Sequence, residues 1–164
     1  DVCATNNLLN LYEAGDVRRN VFKTSNNHPG FNWPNKFPGK DIIRVNNIPV
    51  LRLSEMYLIR IEASLNGATG YNATNDYTLL RTNRGVAGGT PGLAMVYAER
   101  RRELCFEGNL LWDLSRTGRG LDRDEAEIVI SGDVDIAFPD YRWAMPIPAA
   151  EMDANPNMVQ NENY

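Results

Sequence analysis

The sequence predicts a mainly α-helical domain with long irregular loops and minor, short β-strands. Three observations carry that prediction. Leu53, Met56, Tyr57, Ile61 and Leu65 recur at helical spacing, with Leu58 and Ile59 widening the stripe. The run from Glu99 to Arg116 packs acid and base into helix-forming residues beside Leu104, Phe106, Leu110, Leu111 and Trp112. Between such runs, proline, glycine and asparagine crowd the chain. At 164 residues the chain is long enough for one domain over residues 1–164 with a real core, burying about 70% of its unfolded surface.

The elements follow in order. Residues 6–13, with Leu8, Leu9, Leu11 and Tyr12, read as a short helix ended by Gly15, and Asp16-Val17-Arg18-Arg19 starts another turn. Residues 24–40 read as loop, because Pro29, Gly30, Pro34, Pro38 and Gly39 oppose regular structure. Residues 42–45 and 48–51 are β-prone runs separated by Asn46-Asn47, a hairpin that Pro49 confines to an edge. Ser54 is the expected N-cap of a helix running to Leu65, stopped by Asn66-Gly67. A helix apolar over that much of its girth packs on two sides, as in a stack of helix pairs. A shorter helix over 73–84 precedes a loop over 85–92. The charged helix then runs from Ala94, bends at Gly108 and ends near Gly118. From Leu121 the chain reads as irregular, with a strand candidate at 128–130 and a proline-rich tail.

Composition excludes several functions. With 17 Lys+Arg against 21 Asp+Glu and a formal charge of −4, the chain lacks the basic balance that nucleic-acid binding needs. No apolar run approaches the ~20 residues of a membrane span, and Asp1-Val2-Cys3 has neither the basic start nor the apolar segment of a signal peptide. Cys3 and Cys105 are too few for a disulfide framework and too isolated for zinc; Cys105 reads as a small buried hydrophobe. His28 is the only histidine, so it builds neither a metal site nor a triad and reads as polar loop surface. Asp122, Asp124, Glu125 and Glu127 lack the spacing of a calcium loop and read as solvated acids. No metal or cofactor is expected.

Charges beside bulky apolar residues must be paired, so Glu99, Glu103 and Glu107 with Arg100, Arg101 and Arg102 read as ion pairs tying a helix to its neighbours. Glu103 and Glu107 share one helix face, whereas glycosidases need carboxyls roughly 5 to 9.5 Å apart across a cleft. The segment 28–37 differs: it sets Phe31, Trp33 and Phe37 into a proline-stiffened, asparagine-rich stretch. Ring faces suit sugar C–H groups, and an amide such as that of Asn35 can both donate to and accept from hydroxyls. These four residues, with Tyr12, are the candidate ligand contacts; the competing reading is that Trp33 and Phe37 fold back and plug the domain.

Three motifs in fixed order carry a resemblance: Arg52-Leu53-Ser54-Glu55-Met56-Tyr57-Leu58 through Glu62-Ala63; Glu99-Arg100-Arg101-Arg102-Glu103-Leu104-Cys105-Phe106-Glu107-Gly108 with Asp113-Leu114-Ser115-Arg116; and Met145-Pro146-Ile147-Pro148, Glu151, Asn155, Gln160-Asn161 and Tyr164. Together with Asp16-x-Arg18-Arg19 they resemble the SusD/RagB family of surface nutrient-binding lipoproteins of Bacteroidetes. Leu110 and Met145 depart from the family's usual Arg and Trp, and Glu162-Asn163 replaces its Pro-Gly. The resemblance implies a TPR-like, SusD-like C-terminal part whose N-terminal helical half is absent here. It further implies a non-enzymatic protein at the cell outer membrane, surface-exposed, lipid-anchored through a cysteine absent here. Such a protein would capture oligosaccharide or polysaccharide, or in some members peptide, and deliver it to a SusC-like TonB-dependent transporter. A glycoside hydrolase and a helical-repeat adaptor are the alternatives.

Overall fold

The computed structural model describes residues 3–39, 46–47, 49–123 and 135–164. These form two compact units, Asp1–Leu110 and Leu111–Tyr164. Among the described residues the architecture is mainly helical, with one small sheet.

In the first unit Thr5 caps α1 (Asn6–Leu9), its hydroxyl accepting from the Leu8 amide, and Asp16 caps a 3-10 turn over Val17–Val21 in the same way. Helix α1 is shorter than the sequence suggests. The antiparallel hairpin of β1 (Phe22–Ser25) and β2 (His28–Pro34) then replaces the loop expected over residues 24–40. Its residues pair Phe22 with Pro34, Lys23 with Trp33 and Thr24 with Asn32, and the register then shifts so that Ser25 faces His28. Pro29 and Gly30, whose φ is +89°, fall within that irregularity, where no ladder hydrogen bond is required of them. Pro34 lies at the strand end. The residues that argued for a loop therefore sit where a strand tolerates them.

Three helices make the main core. Leu58 and Ile61 of α2 (Leu53–Leu65), Tyr77 and Leu80 of α3 (Ala73–Thr82) and Val96 of α4 (Leu93–Glu103) cluster with Leu104, all buried. Helix α2 starts two residues earlier than the sequence suggests. Arg52 is its N-cap and Ser54 is buried inside the first turn, because the Arg52 carbonyl already accepts the Met56 amide while its guanidinium reaches towards α4. A second cluster joins Ala4, Leu8, Leu9 and Tyr12 to Phe22, Cys105 and Phe106. Cys105 is only partly buried. The charged helix is not continuous through Gly108: α4 stops at Glu103, Phe106 adopts a left-handed φ of +62°, and helicity resumes in α5 (Leu110–Arg116).

Loops hold these layers together. Gly85, at φ +78°, lies so near the Gly15 carbonyl that an added Cβ would stand 2.7 Å from it, and the Val17 amide donates to the Arg84 carbonyl beside it. This close approach brings Arg18 and Arg84 to the same helix face.

Within the second unit, the amide and carbonyl of Leu121 pair with those of Ile136. Asp140 caps a 3-10 turn over Tyr141–Trp143, and α6 spans Ala149–Ala154. The Gln160 side chain accepts from the Ile147 amide at 2.8 Å and donates to its carbonyl at 2.9 Å, while Asn161 donates to Met145. The two halves of the third motif are thereby joined. Of the hairpin expected over 42–51, residues 49–51 adopt no strand, and Val50 and Leu51 stand in solvent. Residues 42–45 and 48, the strand candidate at 128–130, and Asp124, Glu125 and Glu127 lie outside the described residues.

Candidate functional site

The charged signature forms a buried network. Glu99 Oε1 accepts from Arg18 at 2.7 Å, and its other oxygen accepts from Arg81 at 3.0 Å and from Arg102. One turn later Glu103 accepts from Arg18 at 2.9 Å, Arg52 at 2.9 Å and Arg84 at 2.8 and 2.9 Å. Glu107 closes the series with Lys36 and Arg52. Asp16 forks onto Arg18 at 2.7 and 2.9 Å, orienting its guanidinium towards both glutamates.

Burial alone would raise the Glu103 carboxyl, but hydrogen bonds from Arg84 and the charges of Arg84 and Arg18 hold it down at about 2. Glu99 is likewise held low against burial by Arg18 and Arg102, and Asp16 by Arg18. A general acid must carry a proton near neutral pH, and these two glutamates stay ionised. The network is structural, as the charge pattern implies. Among the described residues no group of three or more His, Cys, Asp or Glu is placed to hold a metal, and no helix is long and apolar enough to cross a membrane.

The aromatic candidates lie on and just beyond β2. Phe31 and Trp33, two residues apart on a strand, project to the same side; their ring centroids are 6.3 Å apart with planes tilted by 40°. Both are half-buried, and the Trp33 indole nitrogen is itself buried, so the pair is shared between interior and surface. Phe37 follows, 37% exposed. Asn35 is half-buried, and its amide donates to the Val21 carbonyl at 2.5 Å. Asn46 staples the next turn, donating to the Phe37 carbonyl and accepting from the Gly39 amide, each at 2.8 Å.

Tyr12 is placed elsewhere. It is 7% exposed, its hydroxyl donates to the Arg102 carbonyl at 2.9 Å, and Cys105 Sγ lies 3.4 Å away. Its ring meets Phe22 edge-on at 5.5 Å. Burial, with Cys105 beside it, pushes its phenol well above the ordinary range. Tyr12 thus belongs to the second core cluster rather than beside the ring pair. His28 belongs to β2 rather than to a loop.

Sequence reasoning missed Lys36. Its ammonium donates to the carbonyls of Glu103 at 2.7 Å and Cys105 at 3.0 Å, which joins the aromatic segment to the charged helix. The usable signal was the Phe-x-Trp alternation next to Asn26-Asn27, a strand after a turn, followed by a lone lysine.

The SusD family matches the chain over residues 39–164, so the aromatic segment immediately precedes the matched part. No curated protein matches the chain. Among solved structures, a SusD superfamily protein of Bacteroides thetaiotaomicron is 34% identical, with 94% of this chain and 39% of that one covered and a TM-score of 0.78. A SusD superfamily protein of Bacteroides vulgatus is 29% identical, with 93% and 36% covered and a TM-score of 0.78. Surface glycan-binding protein A of Bacteroides thetaiotaomicron, solved with laminarihexaose, is 24% identical, with 97% and 41% covered and a TM-score of 0.71, a likeness of fold. The chain spans less than half the length of each of these structures.

Proposed function

The chain belongs to the SusD family, and on that premise we propose that it serves glycan capture at the bacterial outer surface, binding oligosaccharide without breaking a bond and passing it to a TonB-dependent outer-membrane transporter. The contacts are the rings of Phe31, Trp33 and Phe37, with the Asn35 side chain offered to hydroxyls. One observation carries this reading. The Phe31–Trp33 pair lies partly exposed on one side of a strand whose ends are tied down, so two ring surfaces, tilted by 40° to each other, are in place before any ligand arrives, which supports this reading. Family membership supports carbohydrate binding as the ligand class. The hydrolase alternative loses its best acids, since Glu99 and Glu103 are buried and committed to arginines.

Calorimetric titration with oligosaccharides of different linkage tests this, with laminarihexaose included because a protein of the same fold was solved with it. Trp33→Ala should weaken binding about tenfold, roughly 1.4 kcal/mol, by removing one stacking surface. Reducing-end release should stay at background throughout. Heat from no oligosaccharide, or an unchanged affinity in Trp33→Ala, sinks the proposal.

A further inference from the structure

We propose that Lys36 is the positioning residue of this site: it holds the aromatic segment in place by capping the C-terminal end of α4. The inference rests on the reading of residues 31–37 as the ligand-contacting surface. A helix leaves its last carbonyls without helical partners, and α4 ends at Glu103. Lys36 donates to the Glu103 and Cys105 carbonyls at 2.7 and 3.0 Å and pairs with the Glu107 carboxylate. An ammonium has three protons, and here are three acceptors. The side chain is only 14% exposed, so these contacts are poorly screened.

Position gives the contact its consequence. Lys36 stands three residues after Trp33 and one before Phe37, where the ladder has ended at the pairing of Pro34 with Phe22. Beyond that point the backbone is held by the Asn35 amide on Val21 and by Asn46 at Phe37. Lys36 is the charged tether from this stretch to the helical core. Arg52 reinforces its anchor, donating to the same Glu103 carbonyl at 3.0 Å and pairing with the same Glu107. Two cations at the negative end of one helix are favoured by its dipole as well. Phe22 of the hairpin packs edge-on against Phe106, three residues past α4, at 6.2 Å, so the hairpin and the segment after it are both held near the end of α4. The ring surface therefore takes its place from the end of α4.

The test uses the full chain with Trp112→Phe and Trp143→Phe, both in the second unit, so that Trp33 is the only indole left. In Lys36→Met, acrylamide quenching of Trp33 should rise about twofold as the segment opens locally. Oligosaccharide affinity per folded molecule should fall three- to tenfold, roughly the cost of ordering the freed side chains again. Glu107→Gln, which loosens the same contact from the acceptor side, should move both readouts in the same direction and carries the test if Lys36→Met does not fold. A loss of global stability alone would lower the urea midpoint without changing either readout in folded protein. Unchanged quenching in both variants overturns the tether, and raised quenching with unchanged affinity overturns its role in positioning. No binding by the parent protein, with quenching still raised in Lys36→Met, would instead strike the sugar reading.

Discussion

Glu103 ties the stability of the first unit to pH within a definite window. Its carboxyl sits at about 2 in the folded protein against an ordinary value of 4.5. The folded value is the lower one, so on acidification the unfolded chain takes up the proton first. The stabilisation is complete above 4.5 and disappears as pH falls through about 2. The difference corresponds to roughly 3 kcal/mol, and no discount for solvent screening applies to a side chain 1% exposed. Asp16 and Glu99, also held low by arginines, steepen the same decline. Urea unfolding followed by circular dichroism at stepped pH measures this. The wild-type midpoint should fall steeply across the window. Glu103→Gln should start lower at neutral pH, because Arg18, Arg52 and Arg84 lose a shared counter-charge, and should then decline less. A Glu103→Gln curve running parallel to wild type through the window would refute the assignment of the low value to this residue.

Two further pairs of substitutions probe the scaffold. Arg18→Met should cost about 3 kcal/mol, the low end for breaking a buried pair, because Glu99 keeps Arg81 and Arg102 while Glu103 keeps Arg52 and Arg84. Arg84→Met, whose side chain is 26% exposed, should cost nearer 1 kcal/mol, and urea midpoints in the reverse order would contradict this ranking. Gly85→Ala combines an unfavourable φ of +78° with a Cβ 2.7 Å from the Gly15 carbonyl, so thermal unfolding should register a loss of about 2 kcal/mol. Gly92→Ala, with open space around it and an ordinary φ of −104°, should lose about 0.5 kcal/mol; equal losses at the two glycines would show that the close loop approach carries no strain.

What could be read from the sequence depended on the range of the interaction. Helix α2 was legible as a helix from its recurring apolar residues. The packing on two sides that they suggested is not found among the described residues: Leu58 and Ile61 are buried while Leu53, Met56 and Ile59 are exposed. The pairing of Glu99 and Glu103 was legible in kind, since charges flanked by Leu104 and Phe106 need partners. The identity of those partners was not: Arg18 lies 81 positions from Glu99 and Arg52 lies 51 from Glu103. No local pattern encodes such separations. The hairpin failed for a different reason. Pro29, Gly30 and Pro34 outvoted the Phe31-x-Trp33 alternation, though each sits at a register shift or a strand end, where the ladder leaves room for it. The break after Glu103 was hidden because nothing in Cys105-Phe106 signals a left-handed backbone as a glycine would. In the candidate site, the aromatic residues were visible and the lysine that anchors them was not. Aromatic residues stand out by composition, whereas Lys36 matters only through carbonyls 67 and 69 positions away.

The spacing of Glu99, Glu103 and Glu107 shows why this unit uses charge where apolar packing would be the simpler way to hold elements together. Apolar surfaces are non-directional and tolerate sliding. Here each carboxylate takes a different set of cations: Arg18, Arg81 and Arg102 on Glu99; Arg18, Arg52 and Arg84 on Glu103; Lys36 and Arg52 on Glu107. Arg18 spans the first pair and Arg52 the second, so the segments before α3 are fixed against α4 and the turn that follows it at two adjacent steps. A slip by one step would still bring cations to carboxylates in the middle but would strand a buried charge at one end, at about 3 to 5 kcal/mol. That penalty is comparable to the whole margin by which many domains stay folded. The ladder therefore selects one register, and the last step of that register is Lys36, next to the aromatic segment. If the rings bind sugar, their placement is inherited from the same ion pairs that acid would dissolve, so affinity should begin to fail with Glu103 protonation at a pH where the sugar itself is unchanged.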